Sequence, residues 1–146
     1  MDKFEFKYAS QLAEIAGCPP DDYRQISRPA FRFVQADLGH PDNFRPVSTI
    51  NPQRSFPNSA MKCKAFGLSL FPENEAAIAF FKHRILRRGL AERNIGSHLA
   101  SFQIEPEDGV ASRPEPLNFD HFTFHEYLRA DFAAKIINVQ PLSINL

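Results

Sequence analysis

Five histidines and two cysteines offer the usual metal and nucleophile chemistry, and their spacing excludes most of it. His121 and His125 stand four apart, which on a helix would place both at ligand distance. The Phe122/Phe124 alternation between them favours a strand instead, where roughly 13 Å separates them and no ion can be shared. Cys18 precedes Pro19 and Cys63 precedes Lys64, so neither forms a C-x-x-C pair or a cysteine-protease signature. Two distant cysteines fit a reducing compartment, with Cys63 acting as a small hydrophobe at a strand start. No glycine-rich phosphate loop occurs. The basic run from Lys82 to Arg88 reads as a solvated helix end. Three residues then remain with useful chemistry: the Arg32 guanidinium, the Ser69 hydroxyl and the Glu126 carboxylate.

The elements that must position them follow from local pattern. The stretch Cys63–Phe71 reads as an apolar strand that ends at Ser69-Leu70-Phe71. It runs through Pro72 into a helix, Pro72–Arg88, closed by Gly89. Ala77, Phe80, Phe81 and Ile85 form the buried stripe of that helix. Arg32 falls in a strand from Ala30 to Gln35, and Glu126 near the end of a strand from Phe119 to Tyr127. Its alternation puts Glu126 on the Phe122/Phe124 side, which a regular strand buries. Tyr8–Ala16 reads as a short helix, Ile95–Ile104 as a strand, Glu105–Gly109 as a turn followed by a polar loop. Leu128–Ala133 reads as a short helix and Ala134–Val139 as a closing strand. Between Ala36 and Met61 the chain is rich in Pro, Asn and Gly, with one extended piece at Val47–Ile50. Phe44, Ile50 and Phe56 anchor it as an ordered excursion over the core. This order of elements predicts an α+β fold: one domain over residues 1–146, with a mixed, mainly antiparallel sheet and a few packed helices.

Composition limits the function. Lys+Arg and Asp+Glu both number 17, and this balance argues against a dedicated nucleic-acid binder, which carries a net basic face. Near neutrality also favours self-association, so a homo-oligomer is compatible. Phe 15 against Tyr 3 and Trp 0 assigns the aromatic content to the core. The N-terminal MDKFEFKYAS lacks the apolar segment of a secretory signal, and no run approaches the ~18 apolar residues that span a bilayer. A cytoplasmic protein without membrane association is expected.

The order Arg32, then Ser69 in Leu68-Ser69-Leu70-Phe71 with Ala76, Ala77, Phe80 and Phe81 following, then Glu126, resembles the Arg–Ser–Glu layout of ADP-ribosyltransferase-like domains. The resemblance covers about residues 30 to 140. It implies that NAD is the cofactor, with Arg32 holding its pyrophosphate. Ser69 would orient the nicotinamide side of the pocket and support the glutamate. Glu126 would stabilise an oxocarbenium-like ribose and align a macromolecular acceptor. The chain departs from the family in having Leu68-Ser69-Leu70 for Ser-Thr-Ser and Phe124 two residues before the glutamate. A second reading is a non-catalytic protein-interaction or regulatory module that uses the long Pro/Asn-rich loop. A third is an RNA-directed protein working through Arg84, Arg87, Arg88 and Arg93.

Overall fold

Strands β1 (Arg28–Val34), β2 (Leu68–Leu70), β3 (His98–Ile104), β4 (Gly109–Ala111), β5 (Phe122–Glu126) and β6 (Asn138–Pro141) form two small sheets. Among the described residues four α-helices accompany them: α1 (Ala9–Ala13), α2 (Val47–Ile50), α3 (Ser59–Lys64) and α4 (Asn74–Phe80). The computed structural model describes residues 4–86 and 95–142. One sheet has the order β1-β3-β6 and the other β2-β5-β4, and every ladder is antiparallel. The expected α+β class is what forms.

The β1-β3 register, Ala30 opposite Phe102 and Phe33 opposite Leu99, gives that sheet two different faces. One face, with Ala30, Phe102 and Ile104, packs on Leu68, Leu70, Phe122 and Phe124 of the second sheet. Phe132, in a 3₁₀ turn at Phe132–Lys135, enters this layer with its ring 4.6 Å from Phe102. The other face, with Phe31, Phe33 and Leu99, receives Ala77, Phe81 and Ile85. These large side chains each contribute about 1.5–3 kcal/mol on burial, so most of the phenylalanines become core, as their lack of polar atoms favours. Helix α4 starts two residues after Pro72 and continues as a π-helical turn, Phe81–Leu86. Arg87, Arg88, Gly89 and Arg93, which the helix end and the RNA reading invoked, lie outside the described residues.

Several elements differ from expectation. Among the described residues there are two sheets rather than one, and β4 forms where a turn and polar loop were expected. Val47–Ile50 is a helical turn, not an extended piece, because Pro46 caps it at φ −62° and ψ 151° and the amide of Asn51 bonds back to Val47. Cys63 lies in α3, whose N-cap Asn58 accepts from the Met61 amide, and not in a strand. Only Leu68–Leu70 of that stretch is a strand, since Lys64–Gly67 still unwinds from the helix. The last turn and strand lie a few residues later than expected.

Candidate functional site

Beside their face-to-face packing, the two sheets are joined by backbone hydrogen bonds at one pair among the described residues. Phe31 and Phe71 exchange both backbone hydrogen bonds, each 2.9 Å, and beyond them β1 and β2 separate. Residues two apart on a strand turn their backbone groups to the same edge, so the Ser69 carbonyl faces the gap, as Phe71 does. Arg32 fills that gap. Its Nη1 donates to the Ser69 carbonyl at 3.2 Å, its Nε to the Asn43 carbonyl at 2.6 Å and its Nη2 to the Arg45 carbonyl at 3.3 Å. A guanidinium carries five N–H donors, so some remain for a ligand. Burial lowers the Arg32 pKa to about 10, against the opposing charge of Glu126.

The excursion after β1 is held in place locally. Asn43 is buried, accepts from the Gln35 amide at 2.7 Å and donates to the Asp37 carbonyl at 3.0 Å. Its backbone therefore offers Arg32 a fixed acceptor. Together β1, the end of β2 and this excursion wall a cleft of about 580 Å³. Arg32, Arg45, Arg54, Lys64 and Ser69 line it, and Asp42 is the one acidic residue among its lining. Arg45 is engaged by Asp42 at 3.1 Å and Lys64 by Glu115 at 3.7 Å. Arg54 lies over the Phe56 ring at 5.2 Å. The net field of the cleft favours an anion.

Glu126 sits elsewhere. It closes β5 opposite Gly109, on the Phe122/Phe124 side as the alternation predicts, and is 4% exposed. The N-terminal segment covers it. Lys7 Nζ donates to Glu126 Oε2 at 2.9 Å and to the Ala130 carbonyl at 2.7 Å, while the Lys7 amide bonds to the Glu126 carbonyl. Phe4 and Phe6 pack on Tyr127 beside it. Glu126 Oε1 has no hydrogen-bond partner among the described residues. Burial raises the Glu126 pKa, and Lys7 and then Arg32 oppose that shift.

Of the three residues singled out in the sequence, Arg32 and Ser69 therefore share one cleft, and Glu126 does not line it. Arg32 and Glu126 nevertheless face the space between the sheets and feel each other's charge. Ser69 meets Arg32 through its backbone carbonyl. Its side chain is exposed and shares the Thr123 face of the sheet, opposite to that of Glu126.

One further expectation changes. Cys18 and Cys63 form a disulfide, so the expected pair of separate thiols is not what the fold contains. The two histidines have separate surroundings, as the strand reading requires. His121 pairs with Glu115 at 2.8 Å, whereas His125 is 1% exposed with Nε2 3.8 Å from Cys63 Sγ. Nothing in the local pattern signals that junction, because its members come from positions 45 and 62 residues apart. Among the described residues no helix is long and apolar enough to cross a membrane. Comparison with family models, curated proteins and solved structures finds no match to this chain.

Proposed function

We propose that this chain is an NAD-binding, ADP-ribosyltransferase-like protein acting on a macromolecular target, and that it works in the cytoplasm, where NAD is available. The observation that carries this reading is the convergence of Arg32 and Ser69 on one cleft whose charged lining residues are mainly basic. A dinucleotide brings a pyrophosphate that Arg32 and Arg54 can hold by charge-assisted hydrogen bonds. Glu126 supplies the negative charge opposite a developing oxocarbenium ion. Its unpartnered Oε1 and its position in the field of Arg32 support that role. For Glu126 to reach ribose, the Lys7 ion pair must open and residues 4–8 must move aside. Turnover then follows nucleotide binding by a conformational step.

The rim of the cleft favours a protein as the macromolecular target. Val47, Ile50 and Met61 are exposed along it. The same rim supports the second reading, a non-catalytic module that binds a protein through the excursion.

Thermal unfolding with and without millimolar NAD separates the two. Saturation at ten times Kd contributes about 1.4 kcal/mol and raises the midpoint by roughly 5 °C. Release of nicotinamide, abolished by Glu126→Gln, is the matching catalytic readout. An unchanged midpoint with no nicotinamide release overturns the transferase reading and leaves the interaction module.

A further inference from the structure

His125 alternates with Glu126 along β5 and so points to the other face of the sheet. There it meets side chains from two other elements. Cys18 comes from the loop after α1 and Cys63 from the last turn of α3. The two Sγ atoms and a ring nitrogen of His125 all lie within 4.8 Å of one another. Among the described residues this is the one group of three or more His, Cys, Asp or Glu donors gathered closely enough to hold an ion.

We propose that Cys18, Cys63 and His125 form a redox-gated site for a soft divalent cation of the zinc class, shut while the disulfide is intact and holding one ion once it is reduced. Three observations carry this. The first is distance. Tetrahedral zinc with Zn–S near 2.3 Å and Zn–N near 2.0 Å sets its sulfur and nitrogen ligands roughly 3.5 Å apart. Cys63 Sγ and His125 Nε2 are already 3.8 Å apart, so only the Cys18 sulfur must swing away as the S–S bond opens. The second is charge. Two thiolates and a neutral imidazole cancel a divalent cation, so the loaded site puts no net charge into a pocket where Cys63 is 4% and His125 1% exposed. The third is access. Cys18 is half-buried and forms the outer side of the cluster, which gives an ion a route in. Sulfur and imidazole donors select zinc over magnesium or calcium. Three protein ligands leave a fourth position for a solvent molecule.

The chemistry balances with a dithiol as reductant. Two electrons and two protons pass to the S–S bond, leaving two thiols on this chain and a disulfide on the reductant. The entering cation then displaces both thiol protons to solvent.

The test uses the full chain, reduced with a tertiary phosphine that leaves as its oxide, then freed of reductant under anaerobic conditions. Titration with Co²⁺ should give one equivalent bound, with thiolate-to-cobalt charge-transfer absorption and tetrahedral visible bands that Zn²⁺ bleaches. The oxidised chain should bind none. His125→Ala should weaken Co²⁺ binding at least tenfold. Should His125→Ala not fold, Cys18→Ser at the half-buried position must give the same loss. A fully reduced chain with two titratable thiols and no cobalt–thiolate band overturns the proposal, as does wild-type affinity in either variant. If reduction unfolds the chain, Zn²⁺ must restore its far-ultraviolet circular dichroism, and failure to do so also overturns the site.

Discussion

Lys7 Nζ holds Glu126 Oε2 at 2.9 Å across 119 residues of sequence, and this ion pair ties the N-terminal segment to the end of β5. The Glu126 side chain is 2% exposed and Lys7 27%, so solvent screens only the lysine side. The pair has two consequences. It opposes the burial that raises the Glu126 pKa, and it occupies the group that the proposed reaction needs.

Removing the lysine alone leaves the carboxylate buried without its cation. Lys7→Met should cost about 2 kcal/mol in urea unfolding, less than a fully buried pair because the lysine is partly solvated. Lys7→Met with Glu126→Gln should recover most of that loss, since no uncompensated charge then remains. Strictly additive losses in the double-mutant cycle would show the pair to be uncoupled.

Arg54 tests the cleft without disturbing the scaffold. It is exposed and stacks on Phe56, so Arg54→Ala should leave stability within about 0.5 kcal/mol of the parent. The same change should weaken NAD binding roughly tenfold, as loss of one charge-assisted contact predicts. Calorimetric titration of both proteins at one salt concentration checks it, and equal affinities would remove Arg54 from the site.

His125 predicts an acid limit to stability. Burial lowers its pKa to about 4, below the unfolded value near 6.5. The folded form then binds fewer protons than the unfolded chain between these values. Its contribution is fully present above pH 6.5 and is lost as the pH falls toward 4, by about 3 kcal/mol in total. His125→Gln should flatten this part of the profile in urea unfolding between pH 7 and pH 4. A variant with the parent slope would place the titration elsewhere.

Gly67 packs closely between the end of α3 and β5. A Cβ there would stand 2.6 Å from Thr123 Cγ2 and 3.1 Å from the Phe124 carbonyl oxygen. Thr123 is buried and β-branched and the second contact is backbone, so neither yields easily and Gly67→Ala should destabilise by about 1–3 kcal/mol. Thermal unfolding at pH 7 measures this, and a gain in stability would mean that β2 and β5 can separate locally.

Reduction of Cys18–Cys63 opens a closure of 45 residues. Chain entropy sets the loss at about 4 kcal/mol in metal-free buffer. Denaturant titration with and without a phosphine measures it, and an unchanged midpoint would show that the bond constrains the unfolded chain very little.

Legibility in the sequence tracked how local each feature is. The stripe Ala77, Phe80, Phe81, Ile85 identified α4 and the π-helical turn after it because helical spacing lies within one segment; Ala77, Phe81 and Ile85 are buried, and Phe80 is partly buried against them. The alternation around Phe122 and Phe124 located β5 and the buried side of Glu126. It could not show that β5 is central and buried on both faces, because Thr123 and His125 look like a solvent face. Val47–Ile50 misled through its β-branched residues, where Pro46 and the surrounding contacts outweigh weak intrinsic preference.

The amino-acid order by itself determined the α+β class, the phenylalanine core, the main amphipathic helix and the strand homes of Arg32 and Glu126. All of these are set by neighbours a few residues away. Only the tertiary structure decided that β1 and β2 part after Phe31 and Phe71, that Lys7 covers Glu126, and that Cys18, Cys63 and His125 meet. Each of those joins residues tens of positions apart. Such contacts form when two sheets pack and bury their apolar faces, and no periodicity along the chain encodes which distant polar groups that packing brings together.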